Sequence, residues 1–191
     1  MLFRSFEAKL IASLQVMVRA PRGPAHLSCA VDVFRSPSPR PDPSYHSRTL
    51  LQHSSLVDEE SVIAVHRMIQ EARRIVIVIG GWCGEAVGSI LQFAALKKIP
   101  FVTTPDGKGL VSPGHPLYRG VFGFGGHGSA EAVLKDPAVD LVLAVGTSMG
   151  EWNSGGWSEV LLNDRLVHVD ESEEHLATTP MARLHVRGRI L

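Results

Sequence analysis

The sequence has 191 residues, is 45% apolar, and balances 19 Lys+Arg against 19 Asp+Glu, which allows one good core with an appendage. The neutral balance gives no electrostatic ground for a nucleic-acid partner or an anionic membrane surface, and no apolar run is long enough to span a bilayer. Its two cysteines, Cys29 and Cys83, stand far apart, which excludes a disulfide framework and a cysteine-rich zinc site and predicts a reducing, cytoplasmic setting.

Residues 5–19 place Phe6, Leu10, Leu14 and Met17 at helical spacing. The amphipathic start resembles an organelle presequence, but Glu7 and the lack of a clear processing site favour an ordinary helix. Pro21, Gly23 and Pro24 end it, and Ala25–Val33 (AHLSCAVDV) predicts a buried strand. One helix and one strand cannot close a core. This leading piece therefore reads as the tail of a domain that begins elsewhere, or as an arm that packs on another chain. Its apolar face predicts association, as a dimer or a sticky monomer.

From Ser36 the sequence runs SPSPRPDPS, a composition that stays extended, and 36–57 is expected to be a linker. Asp58 then offers an N-cap with Glu59 and Glu60 behind it. Val62, Val65, Ile69 and Ala72 mark one face of a helix expected to reach Arg74. Glu71, Arg73 and Arg74 would close it facing solvent.

The stretch RIVIVIGGWCG, from Arg74 to Gly84, organises the remainder of the chain. Ile75–Ile79 is an unbroken β-branched run, suited to a strand buried on both faces of a parallel sheet. Gly80, Gly81 and Gly84 punctuate the turn into a helix predicted over 86–97. A helix N-terminus reached through glycines is a candidate phosphate site. The fingerprint is incomplete, because Ile79 stands where the first glycine belongs, and tight strand-to-helix packing explains the same glycines. Cys83 in this turn is either a reactive thiol or, as expected, a small packed side chain.

Further strands are predicted at 101–104, 117–122 (an edge), 140–145, 166–169 and 184–186, with a helix at 129–136. The alternation gives an α/β fold: a doubly wound parallel sheet of about six strands with helices on both faces. Glycines 80, 81, 123, 125, 126, 146 and 150 then face one crevice at the carboxyl ends of the strands, where such sheets bind ligands. The competing reading is that they serve only tight turns.

The ordered segments GPAHLSCAVDV, a proline-rich linker, VIVIGG, IPFVTTPDGKGLVSPGHPLYRGVFGFGGHGSAEAVL, DLVLAVGTSMGEW and RLVHVDES resemble the thiamine diphosphate enzymes of the acetolactate synthase and benzoylformate decarboxylase kind. The resemblance covers essentially the whole chain and does not fix a substrate. It implies that 1–35 is the tail of an N-terminal pyrimidine-binding domain and 58–191 a Rossmann-like central domain of the DHS-like NAD/FAD-binding type. By the same resemblance, the third domain is expected to lie outside this sequence. The resemblance implies a transferase or lyase as parent, a homo-oligomer with other domains or subunits of the same enzyme as partners, and thiamine diphosphate with Mg²⁺ held outside this chain.

The activating glutamate of that family precedes anything resembling Met1. PDGKG at 105–109 is not the Gly-Asp-Gly metal motif, and Asn153 and Asn163 lie in the wrong context to complete one. The chain alone is therefore expected to be catalytically silent. Some relatives bind FAD or an ADP-containing group in the central domain. By resemblance Gly80, Gly81, Thr103, Thr104, Gly126 and Asp170 would contact it, with Asp170 accepting from a ribose or adenine group. Two departures stand against this: the relatives' histidine near Gly125 is here His127, and their acidic pair and arginine are here Gly150, Glu151 and Trp152.

His115, His127 and His168 lack ligand spacing and are expected to be structural. Trp152 and Trp157 offer faces for a flat ring or an adjoining domain, with packing the expected use. Two other classes stay open beside a fragment of a thiamine diphosphate enzyme. One is an autonomous FAD, ADP or NAD module, against whose deacylase form the missing cysteine quartet and GAGxS-like loop speak. The other is a subunit-assembly domain.

Overall fold

The computed structural model of the chain describes residues 3–18, 23–37 and 58–190. The chain divides into two units, Met1–Ser54 and Ser55–Leu191.

In the first unit the predicted helix is α1 (Phe3–Val18). Leu10, Leu14 and Met17 are 40%, 44% and 42% exposed, so the apolar face read from the sequence stays open to solvent. The strand expected at Ala25–Val33 is not formed. Residues 23–30 carry no regular structure, and Val31–Arg35 is a short helix, α2, with no buried residue. Ala25, Leu27 and Cys29 are half-buried while His26, Ser28 and Ala30 are exposed, which is the alternation of an extended chain. A strand also needs a ladder to satisfy its N–H and C=O groups, and among the described residues no ladder reaches this segment. Pro21, most of the proline-rich stretch (38–57) and Leu191 lie outside the described residues.

The first described residue of the second unit is Asp58, whose carboxylate accepts from the N–H groups of Glu60 and Ser61 and caps α3 (Glu59–Glu71). The helix stops short of Arg74 because Asp140 captures the next donors: Arg73 N and Arg74 N each donate to its carboxylate at 3.0 Å. These two bonds hold the Asp140 carboxyl below its ordinary value. The chain then enters β1 (Ile75–Ile79), followed by α4 (Val87–Lys97), β2 (Phe101–Thr103), β3 (Tyr118–Val121) and α5 (Gly128–Lys135). The remaining elements are β4 (Leu141–Val145), α6 (Glu151–Ser154), β5 (Leu166–Asp170), α7 (Glu173–Ala177) and β6 (Leu184–Arg187).

The strands form one six-stranded sheet in the order β3-β2-β1-β4-β5-β6, with every pairing parallel. β1 is the central element because its sequence suits both faces. Ile75, Ile77 and Ile79 pack with Val65, Met68 and Ile69 of α3 and with Ile90 and Leu91 of α4. Val76 and Val78 point the other way, onto Ala130 and Leu134 of α5 and onto Met149 and Leu161. All five strand residues are buried. Each contributes about 1.5–3 kcal/mol by leaving water. The weak 117–122 pattern becomes β3 at the sheet's edge, joined to β2 through an irregular register.

Candidate functional site

The strand register levels the carboxyl ends: Ile79 pairs with Thr103 on one side and with Val145 on the other, and Val145 pairs with Val169. Gly80, Thr104, Gly146 and Asp170 therefore lie along one edge. Strand order reverses between β1 and β4, the place where an open α/β sheet has its crevice.

That crevice is filled by its own loops. Gly80 N donates to Val145 O at 2.9 Å, Trp82 N donates to Gly146 O at 3.1 Å, and the Cys83 thiol donates to Val145 O at 3.0 Å. A Cβ on Gly80 would lie 2.0 Å from Gly146 O, so the glycine is required by the close approach of two backbones. Gly146, at φ +61°, presses on Cys83 from the opposite side. Cys83 is buried as expected, and desolvation pushes its thiol up to about 12, far from a reactive thiolate.

The sequence-predicted threonines are buried and already partnered. Thr103 Oγ1 shares a hydrogen bond of 2.9 Å with Tyr118 Oη, and Thr104 Oγ1 donates to the Asp106 carboxylate. Asp106 also accepts from Asn153 Nδ2 at 3.1 Å, and the same amide reaches Ser148 Oγ at 3.2 Å. Asp106 and Asn153 are legible in the sequence only as a failed metal motif. Their actual partnership ties the loop after β2 to the loop after β4, and no spacing rule announces it. Gly81 sits over Asp106, and Gly126 is exposed with its N–H on Gly123 O at 3.0 Å.

Asp170 differs from the others. It ends β5, is 2% exposed, and accepts at Oδ1 from Ser172 N (2.8 Å) and His175 Nδ1 (3.0 Å). Oδ2 is buried without a partner. Desolvation raises the carboxyl above its ordinary value, with Ser172 and His175 pulling the other way. His175, which no pattern in the sequence singles out, tilts against the Trp82 ring at 5.9 Å and so links Asp170 to the turn after β1.

The three histidines singled out in the sequence bond within the domain, beginning with His115, whose Nδ1 accepts from Leu117 N at 3.2 Å. His127 Nδ1 accepts from Val121 N at 2.9 Å, and His168 is fully buried, with Nε2 donating to Thr147 O at 2.9 Å and Nδ1 2.9 Å from Thr179 Oγ1. Among the described residues no group of three or more His, Cys, Asp or Glu side chains is placed to hold a metal. The tryptophans depart from the expected packing: Trp152 and Trp157 are 62% and 59% exposed. The Trp152 ring lies 4.5 Å from that of Phe124, tilted by 57°, and Phe124 is itself exposed, which makes an open aromatic pair.

The polar groups at this edge thus fit one hydroxyl or amine donor at Asp170. They leave no free threonine hydroxyl, and neither the Gly80 nor the Gly126 N–H, for a pyrophosphate.

Residues 62–191 match the family described as thiamine pyrophosphate enzyme, central domain. The "Putative acetolactate synthase large subunit IlvB2" of Mycobacterium tuberculosis is 31% identical over 173 residues, covering 85% of this chain and 31% of that protein. Pyruvate decarboxylase of Kluyveromyces lactis is 31% identical over 134 residues, covering 64% of this chain and 22% of its own. A solved structure, "X-ray structure of a putative thiamin diphosphate-dependent enzyme isolated from Mycobacterium smegmatis", shares the fold at a TM-score of 0.75 and 20% identity, over 96% of this chain and 34% of that one. The chain spans 31% and 22% of the length of the two sequence relatives. It belongs to the thiamine pyrophosphate enzymes, as their central domain.

Proposed function

We propose that this chain serves as a structural central domain within a thiamine diphosphate-dependent transferase or lyase of the acetolactate synthase kind, and is silent by itself. In such an assembly the cofactor, with Mg²⁺, would supply carbanion stabilisation, and both would be held by other domains. The observation that carries the proposal is that four of the six predicted contact residues at the carboxyl edge, Gly80, Thr103, Thr104 and Gly126, bond within the domain. The exposed Phe124–Trp152 pair supports a docking face for companion domains or subunits in a homo-oligomer. Two free cysteines accord with a cytoplasmic setting.

One observation favours a second reading. The unpartnered Asp170 Oδ2 suits a ribose hydroxyl or an adenine amine, so FAD or an ADP-containing group would lie across Gly80, Gly81, Thr103, Thr104 and Gly126 with Asp170 as its anchor. The test is an absorbance scan of the purified chain, then melting with FAD and with adenosine, in wild type and Asp170→Ala. The scaffold reading predicts colourless protein and no Asp170-dependent shift. Yellow protein, or a saturating rise abolished by Asp170→Ala, would overturn it in favour of the nucleotide; a ligand at one hundred times its Kd adds about 2.7 kcal/mol.

A further inference from the structure

The opposite edge of the sheet carries a feature that the scaffold role does not use. A cavity of about 480 Å³ opens at the amino ends of β1, β2 and β3, and Arg73, Arg74, Lys97, Lys98 and Arg119 line it. Neighbouring strands deliver them. Arg73 and Arg74 lead into β1, Lys97 and Lys98 precede β2, and Arg119 lies on β3. In a chain whose positive and negative side chains are equal in number, this is a local surplus of cations.

Ordinary structural reasons account for part of it. Lys97 and Lys98 close α4, where a cation complements the helix dipole. Arg74 pairs with Asp136 at 3.0 Å, and Asp140 holds the backbone of Arg73 and Arg74. Arg119 has no such account. It sits on a strand, half-buried, and its Nη1 donates to the carbonyls of Pro116 (2.8 Å) and Tyr118 (3.2 Å). Those bonds fix the guanidinium without neutralising it. Among the described residues, Lys97, Lys98 and Arg119 form no ion pair.

We propose that this groove binds a compact polyphosphate anion, either inorganic or as the tail of a nucleotide, at the edge of the sheet opposite Asp170. A fixed guanidinium is suited to bidentate phosphate oxygens, and flexible lysine stems add charge without demanding one geometry. A single small anion underuses a space of about 480 Å³ lined by five cationic side chains, whereas a chain of phosphates carries enough charge and oxygens to engage several of them at once. Ile99 and Leu117, also in the lining, offer apolar contact to the nucleoside of a nucleotide.

The test is calorimetric titration of the full chain with inorganic triphosphate and, separately, with ATP, at constant ionic strength. The variants are Lys97→Gln with Lys98→Gly, Arg119→Gln, and, as a control, Lys108→Gln, which removes an exposed cation from the loop after β2 at the far edge. Lys98 lies at φ +55°, which glycine adopts freely, and Lys97 is exposed, so the lysine variant keeps the fold. Saturable triphosphate binding, weakened tenfold or more by both basic-groove variants and untouched by Lys108→Gln, is expected. ATP binding equal to triphosphate identifies the inorganic chain as sufficient, and tighter ATP identifies a nucleotide. Binding unchanged in the groove variants, or heat reproduced by sodium chloride at matched ionic strength, would overturn the proposal. So would a poly-glutamate peptide that binds where triphosphate does not, because the occupant would then be an acidic protein segment.

Discussion

His168 occupies a place where only a neutral ring fits. It is fully buried between Thr147 and Thr179, and desolvation lowers its value to about 4 from an ordinary 6.5. A ring that resists protonation when folded and accepts it when unfolded contributes stability above about pH 6.5 and loses it as pH falls toward 4. At about 1.4 kcal/mol per unit, the loss over that window is about 3 kcal/mol. Asp170 works in the opposite sense, since its raised value favours the folded state as the carboxyl protonates. Comparing wild type with His168→Gln cancels that contribution. Urea midpoints measured between pH 7 and 4 should fall more steeply in wild type, and parallel curves would refute the assignment. Cys83 gives a second residue-scale prediction: its buried, hydrogen-bonded thiol should ignore an aromatic disulfide reagent until the chain unfolds, while half-buried Cys29 reacts. Two fast thiols in the native protein would contradict the packing described for the turn after β1.

At the scale of elements, the turn after β1 is where sequence and structure part most instructively. β1 was legible because IVIVI satisfies both faces of a parallel sheet at once, and α3 because Asp58 and its acidic neighbours mark a start. The glycines after β1 were legible as a turn but ambiguous as to purpose, because a phosphate and a neighbouring backbone place the same demand on a missing Cβ. Gly80 is resolved by a contact with Gly146, distant in sequence, that no local pattern encodes. The Ala25–Val33 segment shows the converse: its alternation is real, yet a strand is a property of a pair. Gly80→Ala should cost about 1–3 kcal/mol or more by overpacking two backbones. Gly81→Ala meets only the Asp106 side chain and carbonyl, at 3.1 Å and beyond, and should cost less. Equal urea midpoints for the two variants would show that the loops after β1 and β4 yield easily.

For the whole molecule, the family assignment and the short span set the expectation for activity. Supplied with thiamine diphosphate, Mg²⁺ and pyruvate, the chain alone should release no carbon dioxide above the uncatalysed background, as followed by a coupled assay. Turnover from this polypeptide would refute the proposal that the central domain is silent by itself. Fold class was readable at this scale because strand and helix patterns alternate across Glu59–Arg187. The basic groove is not legible in the sequence, because its cations are dispersed over Arg73–Arg119 and meet only when β1, β2 and β3 align.

The reversal of strand order at the centre also bears on how the chain folds. β1 joins β4 across a long interval, with Asp140 following Arg74 by 66 residues, whereas β1 with β2 and β4 with β5 are successive neighbours. Closing the longer loop costs more chain entropy, so the two halves of the sheet are expected to assemble first and dock along the β1–β4 seam. The Gly80–Gly146 clasp sits on that seam and is expected to close last, so disturbing it should shorten the lifetime of the native state more than it slows its formation.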